Sequence, residues 1–182
     1  MSNHDFYLTF NYTNTLEDIY CIPSQNILHI HGSLKKLNEN FVDSENENVT
    51  NSEIRNEIQF GSVENYPLLF QDDLVNEYEG HEFWETDIRF IIDEVIDFCA
   101  GSYKNIDRNF PKLDKFLSNA GISEIVVMGL SFGDSDIPYM EKINMKYSNS
   151  SWLFYYHEKD DKLKYEGFIK ENNLKKFEFI LW

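Results

Sequence analysis

The chain has 182 residues, enough for one domain with a sizeable core, and 42% of them are hydrophobic and 16% aromatic. Its 16 basic residues against 32 acidic ones give a formal net charge of -16, which repels phosphate backbones and argues against nucleic acid as a partner. No apolar run approaches the roughly 18 residues that span a bilayer, and the start lacks the layout of a secretory signal.

A cytoplasmic protein with no membrane partner is therefore expected. The 2 cysteines, Cys21 and Cys99, are too few for a disulfide framework and read as buried thiols.

Residues 6–10 form a short apolar and β-branched run, the composition of a strand covered on both faces. The run stops at Asn11. Thr13 or Asn14 can cap a short helix over about residues 15–20, with Glu17 where a capping box wants its acid. Pro23 ends that helix, and Gln25-Asn26 turns into a second apolar strand over residues 27–31. This strand closes on His31-Gly32, where glycine lets the backbone turn sharply or approach a ligand. Residues 34–56 are polar and rich in Asn, Glu and Ser, a surface insertion. A short strand is expected over 57–61, and a loop passing into a small helix over 67–79. Apolar residues at three- and four-residue spacing, from Phe83 through Ile88, Ile92 and Ile96 to Cys99, predict a helix over 83–103. A second amphipathic helix is expected over 110–119, with Leu113, Phe116 and Leu117 on one face.

Residues 124–130 are nearly all apolar and predict a strand at the centre of a parallel sheet. Residues 131–136 read as a loop and 137–147 as a helix with Pro138 in its first turn. A strand over 151–156, a helix over 160–172 and a terminal strand over 177–181 complete the chain. Strand and helix alternate, which predicts an α/β fold with a parallel sheet covered by helices in a single domain, 1–182.

Asn11 and His31 each close an apolar strand, and strand ends of this kind build sites beyond the carboxyl edges of open α/β sheets. Taken alone, each has an ordinary alternative, a turn-forming asparagine and a merely hydrogen-bonded histidine. Ser131, Gly133, Asp134 and Asp136 form a second set, in which Asp136 is expected to cap the following helix. His29 and His31 face the same way along a strand and could share a metal. His4, His81 and His157 lie in unrelated elements, so no third ligand is recognisable and no metal is expected. His29 reads instead as a packed or hydrogen-bonded residue behind the site.

Four motifs then carry a resemblance. Phe10-Asn-Tyr-Thr-Asn-Thr-Leu-Glu17, Leu28-His-Ile-His-Gly-Ser33, Phe60-Gly61 and Gly129-Leu-Ser-Phe-Gly-Asp-Ser-Asp-Ile-Pro138 resemble, in this order, the AbiH family of bacteriophage abortive infection proteins. That family is regarded as sirtuin-like in fold. Asn11 followed by His31-Gly32 is also similar to the asparagine and His-Gly pair of sirtuin-type NAD-consuming enzymes. The resemblance implies a Rossmann-like, sirtuin-like sheet and NAD as the substrate, hydrolysed at the nicotinamide glycosidic bond. It gives Asn11 the task of orienting the nicotinamide riboside or the attacking water. His31 would contact the ribose and act as base. Cofactor-binding positions would be Thr13, which stands where sirtuins have aspartate, with Gly32, Gly129, Ser131 and Asp134. Such cleavage passes through an oxocarbenium-like state, which an oriented water and a base assist.

The family's upstream Gly-Asn-Gly-Phe-Asp turn has no counterpart, since none of the 8 glycines forms a Gly-x-Gly. The chain is expected to be a C-terminal portion or a shortened member, without the first strand and glycine-rich turn. The partners expected are a small-molecule nucleotide, a phage protein as trigger, and further copies of the chain. The competing readings are a non-catalytic nucleotide-binding or phage-sensing module and an inactive fragment.

Overall fold

The computed structural model describes residues 5–34, 59 and 104–182. The chain divides into two compact units, Met1–Asn105 and Ile106–Trp182. The expected insertion over 34–56, the loop over 67–79, the helix over 83–103 and Cys99 lie outside the described residues, apart from Leu34. So does the expected strand over 57–61, apart from Gln59.

In the first unit, β1 (Tyr7–Thr9) leads through Asn11 into α1 (Thr15–Asp18), a single helical turn. Pro23, held extended at φ -58 and ψ 134, starts a 3-10 turn (Ser24–Asn26) that delivers the chain into β2 (Ile27–His29). The two strands pair in parallel, Tyr7 with Ile27, Leu8 with Leu28 and Thr9 with His29. Ile22, Ile27 and Ile30 are buried. Cys21 corrects one expectation: its thiol is exposed, on a left-handed turn (φ 53) between α1 and Pro23.

The second unit opens with α2 (Ile106–Phe116). It starts earlier than the expected 110 because Asn109 and Leu113 share its buried face, and Pro111 lies inside it rather than at its start. There follow β3 (Glu124–Met128), α3 (Ile137–Lys146), β4 (Ser151–Tyr156), α4 (Lys159–Glu171) and β5 (Phe177–Leu181). The three strands run parallel in the order β3-β4-β5. An α/β chain of parallel sheets flanked by helices is what the alternation of elements predicts.

Among the described residues β3 pairs only with β4, and its Val126 and Met128 are half-exposed. The middle strand is β4, whose Trp152 and Phe154 are buried side by side, ring centroids 5.7 Å apart. Phe168 of α4 packs on Trp152, and Tyr165 on Phe154. A capping box between Glu158 and Asp161 starts α4.

Candidate functional site

The described site residues fall into two loop clusters, one in each unit, and both follow the carboxyl end of a parallel strand.

The first cluster grows out of the β1–β2 pairing. Each partner in the ladder lies twenty residues from its mate, and the same interval separates Asn11 from His31. Both residues therefore stand two positions past the last pair, at the same end of adjacent strands. The ladder closes with the Ile30 amide donating to the Thr9 carbonyl at 3.1 Å. Gly32 then takes φ 96, a left-handed turn that a side chain would strain. Beyond the strands the loops are joined crosswise. Ser33 Oγ donates to Asn14 Oδ1 at 2.8 Å, and the Leu34 amide donates to the Tyr12 carbonyl at 2.9 Å. Gln59, itself buried, donates its amide to the His31 carbonyl at 2.9 Å and accepts from the Tyr12 hydroxyl.

Asn11 is exposed, whereas His31 is buried with the Phe10 ring edge-on to it at 5.6 Å. Thr13 is exposed and its hydroxyl lies 3.0 Å from that of Thr15. Two expectations are corrected here. The capping box on α1 does not form: Asn14 stands at the N-cap without a side-chain cap bond, because Ser33 claims its carboxamide oxygen. Glu17 is drawn away to His29, its Oε1 3.0 Å from Nε2. The strand expected over 27–31 ends sooner, as β2 at His29, so His31 stands beyond it. The other His29 nitrogen, Nδ1, meets the Asn11 carbonyl at 3.0 Å, so both ring nitrogens are engaged.

The second cluster is the loop after β3. Gly129 is exposed at φ 62, with open space where a Cβ would stand. Ser131 and Asp134 are exposed as well. Between them Phe132 takes φ 50, an uncommon conformation for a bulky residue. That twist turns its ring into the core against Phe154, Tyr165 and Phe168, with centroids 6.4, 5.1 and 4.9 Å away. The Tyr165 hydroxyl donates to the Leu130 carbonyl at 3.1 Å and holds the loop from below. The strain at Phe132 is thus offset by packing, and it leaves Ser131 and Asp134 at the surface.

Asp136 does not cap α3 as expected. It occupies the N-cap position in helical conformation without a side-chain cap bond, and its buried carboxylate accepts from Ser135 Oγ at 2.9 Å. Its field reaches Tyr139, whose phenol is held above its usual value. Burial is the main cause, the Asn109 hydrogen bond partly opposes it, and the Asp136 charge adds to it. Asn109 Nδ2 donates to Tyr139 Oη at 3.0 Å, and Lys112 Nζ donates to Asn109 Oδ1 at 3.1 Å. This buried cluster, like the Glu17–His29 pair and Gln59, joins residues far apart in the chain, and no local motif announces it.

The structure brings Asn11, Thr13, His31 and Gly32 into one loop cluster, and Gly129, Ser131 and Asp134 into another. Fold and site together define an α/β protein of parallel strands whose candidate groups gather in the loops at the strands' carboxyl ends. A family model, bacteriophage abortive infection AbiH, matches residues 1–156, which run from before β1 to the last residue of β4. The chain belongs to the AbiH family. No curated protein and no solved structure matches it.

Proposed function

We propose that this AbiH-family protein serves in abortive infection of bacteriophage-infected cells by hydrolysing NAD at the nicotinamide glycosidic bond, on a sirtuin-like, Rossmann-like arrangement. The observation that carries this reading is the parallel register of β1 and β2, with Asn11 and His31 in step beyond its carboxyl end. In such a site the exposed carboxamide of Asn11 orients the nicotinamide riboside or the attacking water. The His31 imidazole, once the residues covering it move aside, takes the water's proton as the C–N bond opens. Thr13 and Gly32 line the riboside side. In the second unit, considered by itself, Gly129, Ser131 and Asp134 are the positions offered as nucleotide-binding, on the exposed loop after β3. A water held in line and a base within reach lower the barrier to an oxocarbenium-like state, and the base alone contributes on the order of 10²–10⁴-fold.

The test is nicotinamide release from NAD by the full chain. Release is expected, with losses of at least about 10²-fold in Asn11→Ala and in His31→Ala. No release from the unaltered chain, or release from both variants equal to that of the unaltered chain, overturns the reading. Cells expressing the protein under phage challenge give the biological arm: protection should disappear with the same two substitutions.

A further inference from the structure

We infer that Glu17 and His29 are a proton-sharing positioning pair that fixes the Asn11 peptide, and so sets the asparagine on which the NAD-hydrolysis reading rests. The argument starts from donors and acceptors. A carbonyl oxygen only accepts, so the 3.0 Å contact between His29 Nδ1 and the Asn11 carbonyl requires a proton on Nδ1. On the other side of the ring, Nε2 lies 3.0 Å from Glu17 Oε1. A bare imidazole nitrogen facing a bare carboxylate would repel it, so one further proton lies between them. The pair is then either imidazolium with carboxylate or imidazole with carboxylic acid. Both forms are neutral as a pair, and both keep the proton on Nδ1. The Asn11 carbonyl thus accounts for the Nδ1 proton, and Glu17 holds the other side of the ring through the shared proton.

The surroundings make that grip firm. The two side chains are only 10% and 12% exposed, which strengthens a charge-assisted bond by excluding water. Glu17 Oε2 is buried and has no partner among the described residues, so this carboxylate's hydrogen bonding is committed to His29. His29 is itself fixed as the last residue of β2, paired with Thr9. At the other end, the Asn11 amide donates to Thr9 Oγ1 at 3.2 Å. Both backbone polar groups of Asn11 are therefore occupied. Among the described residues its carboxamide is the one polar group left for a ligand.

The experiment uses the full chain with ring-¹⁵N-labelled histidine and backbone amide labels. Nuclear magnetic resonance should show His29 Nδ1 protonated in the unaltered protein. In Glu17→Ala the Nε2 side of the ring loses its partner, so the ring is held from the Asn11 side alone and the Tyr12 amide, next to the Asn11 carbonyl, should shift. Glu17→Gln can still donate to Nε2 and should keep the Nδ1 proton. His29→Asn sets an amide nitrogen where Nδ1 stood and should hold the Tyr12 signal in place. His29→Gln reaches toward Glu17 instead and should lose the grip on Asn11. Nicotinamide release should fall about 10²-fold in His29→Gln, the scale of a reacting group displaced by about 1 Å, and much less in His29→Asn. An unprotonated Nδ1 in the unaltered chain overturns the inference. So do equal losses of release in the two folded His29 variants. Absence of release from the unaltered chain overturns only the NAD reading, because ring protonation and the Tyr12 signal still judge the pair.

Discussion

Ser33 Oγ donates a 2.8 Å hydrogen bond to Asn14 Oδ1, and this contact ties the loop after β2 to the loop after β1. It takes the oxygen that would otherwise cap α1, so the helix gives up a local bond for a connection between the two strand ends. The Leu34 amide on the Tyr12 carbonyl at 2.9 Å closes the same seam one residue further on.

Ser33→Ala removes the donor and leaves a part-buried carboxamide oxygen unmet. The cost should be about 1–3 kcal/mol, felt chiefly in this seam. Hydrogen exchange at the Leu34 amide should accelerate accordingly. Asn14→Asp keeps an acceptor and should keep slow exchange, while Asn14→Ala should match Ser33→Ala. Unchanged Leu34 exchange in Ser33→Ala would remove the seam as a stabilising element.

How much of this was legible depends on whether the partners are near in sequence. Strand β5 runs over the residues that its composition predicts, and β4 does as well, because aromatic and apolar residues leave little alternative to a buried extended run. The interval between Asn11 and His31 is equally readable, since two apolar strands in parallel register carry their ends along. Local windows fail where a distant group competes. Glu17 has the spacing of a capping acid, yet His29, twelve residues on, takes it with a charge-assisted bond that a capping box cannot match. Asp136 precedes a helix but gives its carboxylate to Ser135 and its field to Tyr139. The apolar run of β3 marks a strand without saying how many neighbours it has. Nothing in a phenylalanine predicts the left-handed backbone of Phe132, which only the ring's place in the core explains.

Phe132 makes a second prediction about that exchange of strain for packing. Truncating a buried aromatic ring costs about 3–5 kcal/mol, so Phe132→Ala should markedly lower the denaturant midpoint of the second unit. Ordinarily glycine is worse than alanine at a given position, because it frees the unfolded chain by about 0.4–1 kcal/mol. Here an alanine would still bear a left-handed conformation costing about 1–2 kcal/mol, which glycine escapes. Phe132→Gly should therefore be at least as stable as Phe132→Ala. Denaturant titrations that find the alanine variant clearly the more stable would show that the backbone at this position carries no strain.

The last prediction concerns alkaline pH and follows from three tyrosines of the second unit. Burial raises the phenols of Tyr139, Tyr147 and Tyr165, with the Asp136 charge adding to the effect at Tyr139 and the Asp161 charge at Tyr165. A group whose folded value lies above its unfolded value keeps its proton in the native state while the unfolded chain loses it. Its contribution is complete below the unfolded value, about 10 for a phenol, and drains away as pH rises toward the folded value. Stability of this unit should thus be insensitive to these groups up to about pH 9 and decline above about pH 10. Tyr139→Phe deletes one titrating group, the one with its ring fully buried and its hydroxyl bonded to Asn109. The variant should start less stable near neutrality, by about 0.5–1.5 kcal/mol for the lost hydrogen bond to Asn109, yet lose less between about pH 9 and pH 11.5. Denaturant midpoints across that range measure both effects in one series. An alkaline slope unchanged by Tyr139→Phe would mean that ionisation of this buried phenol does not limit the fold.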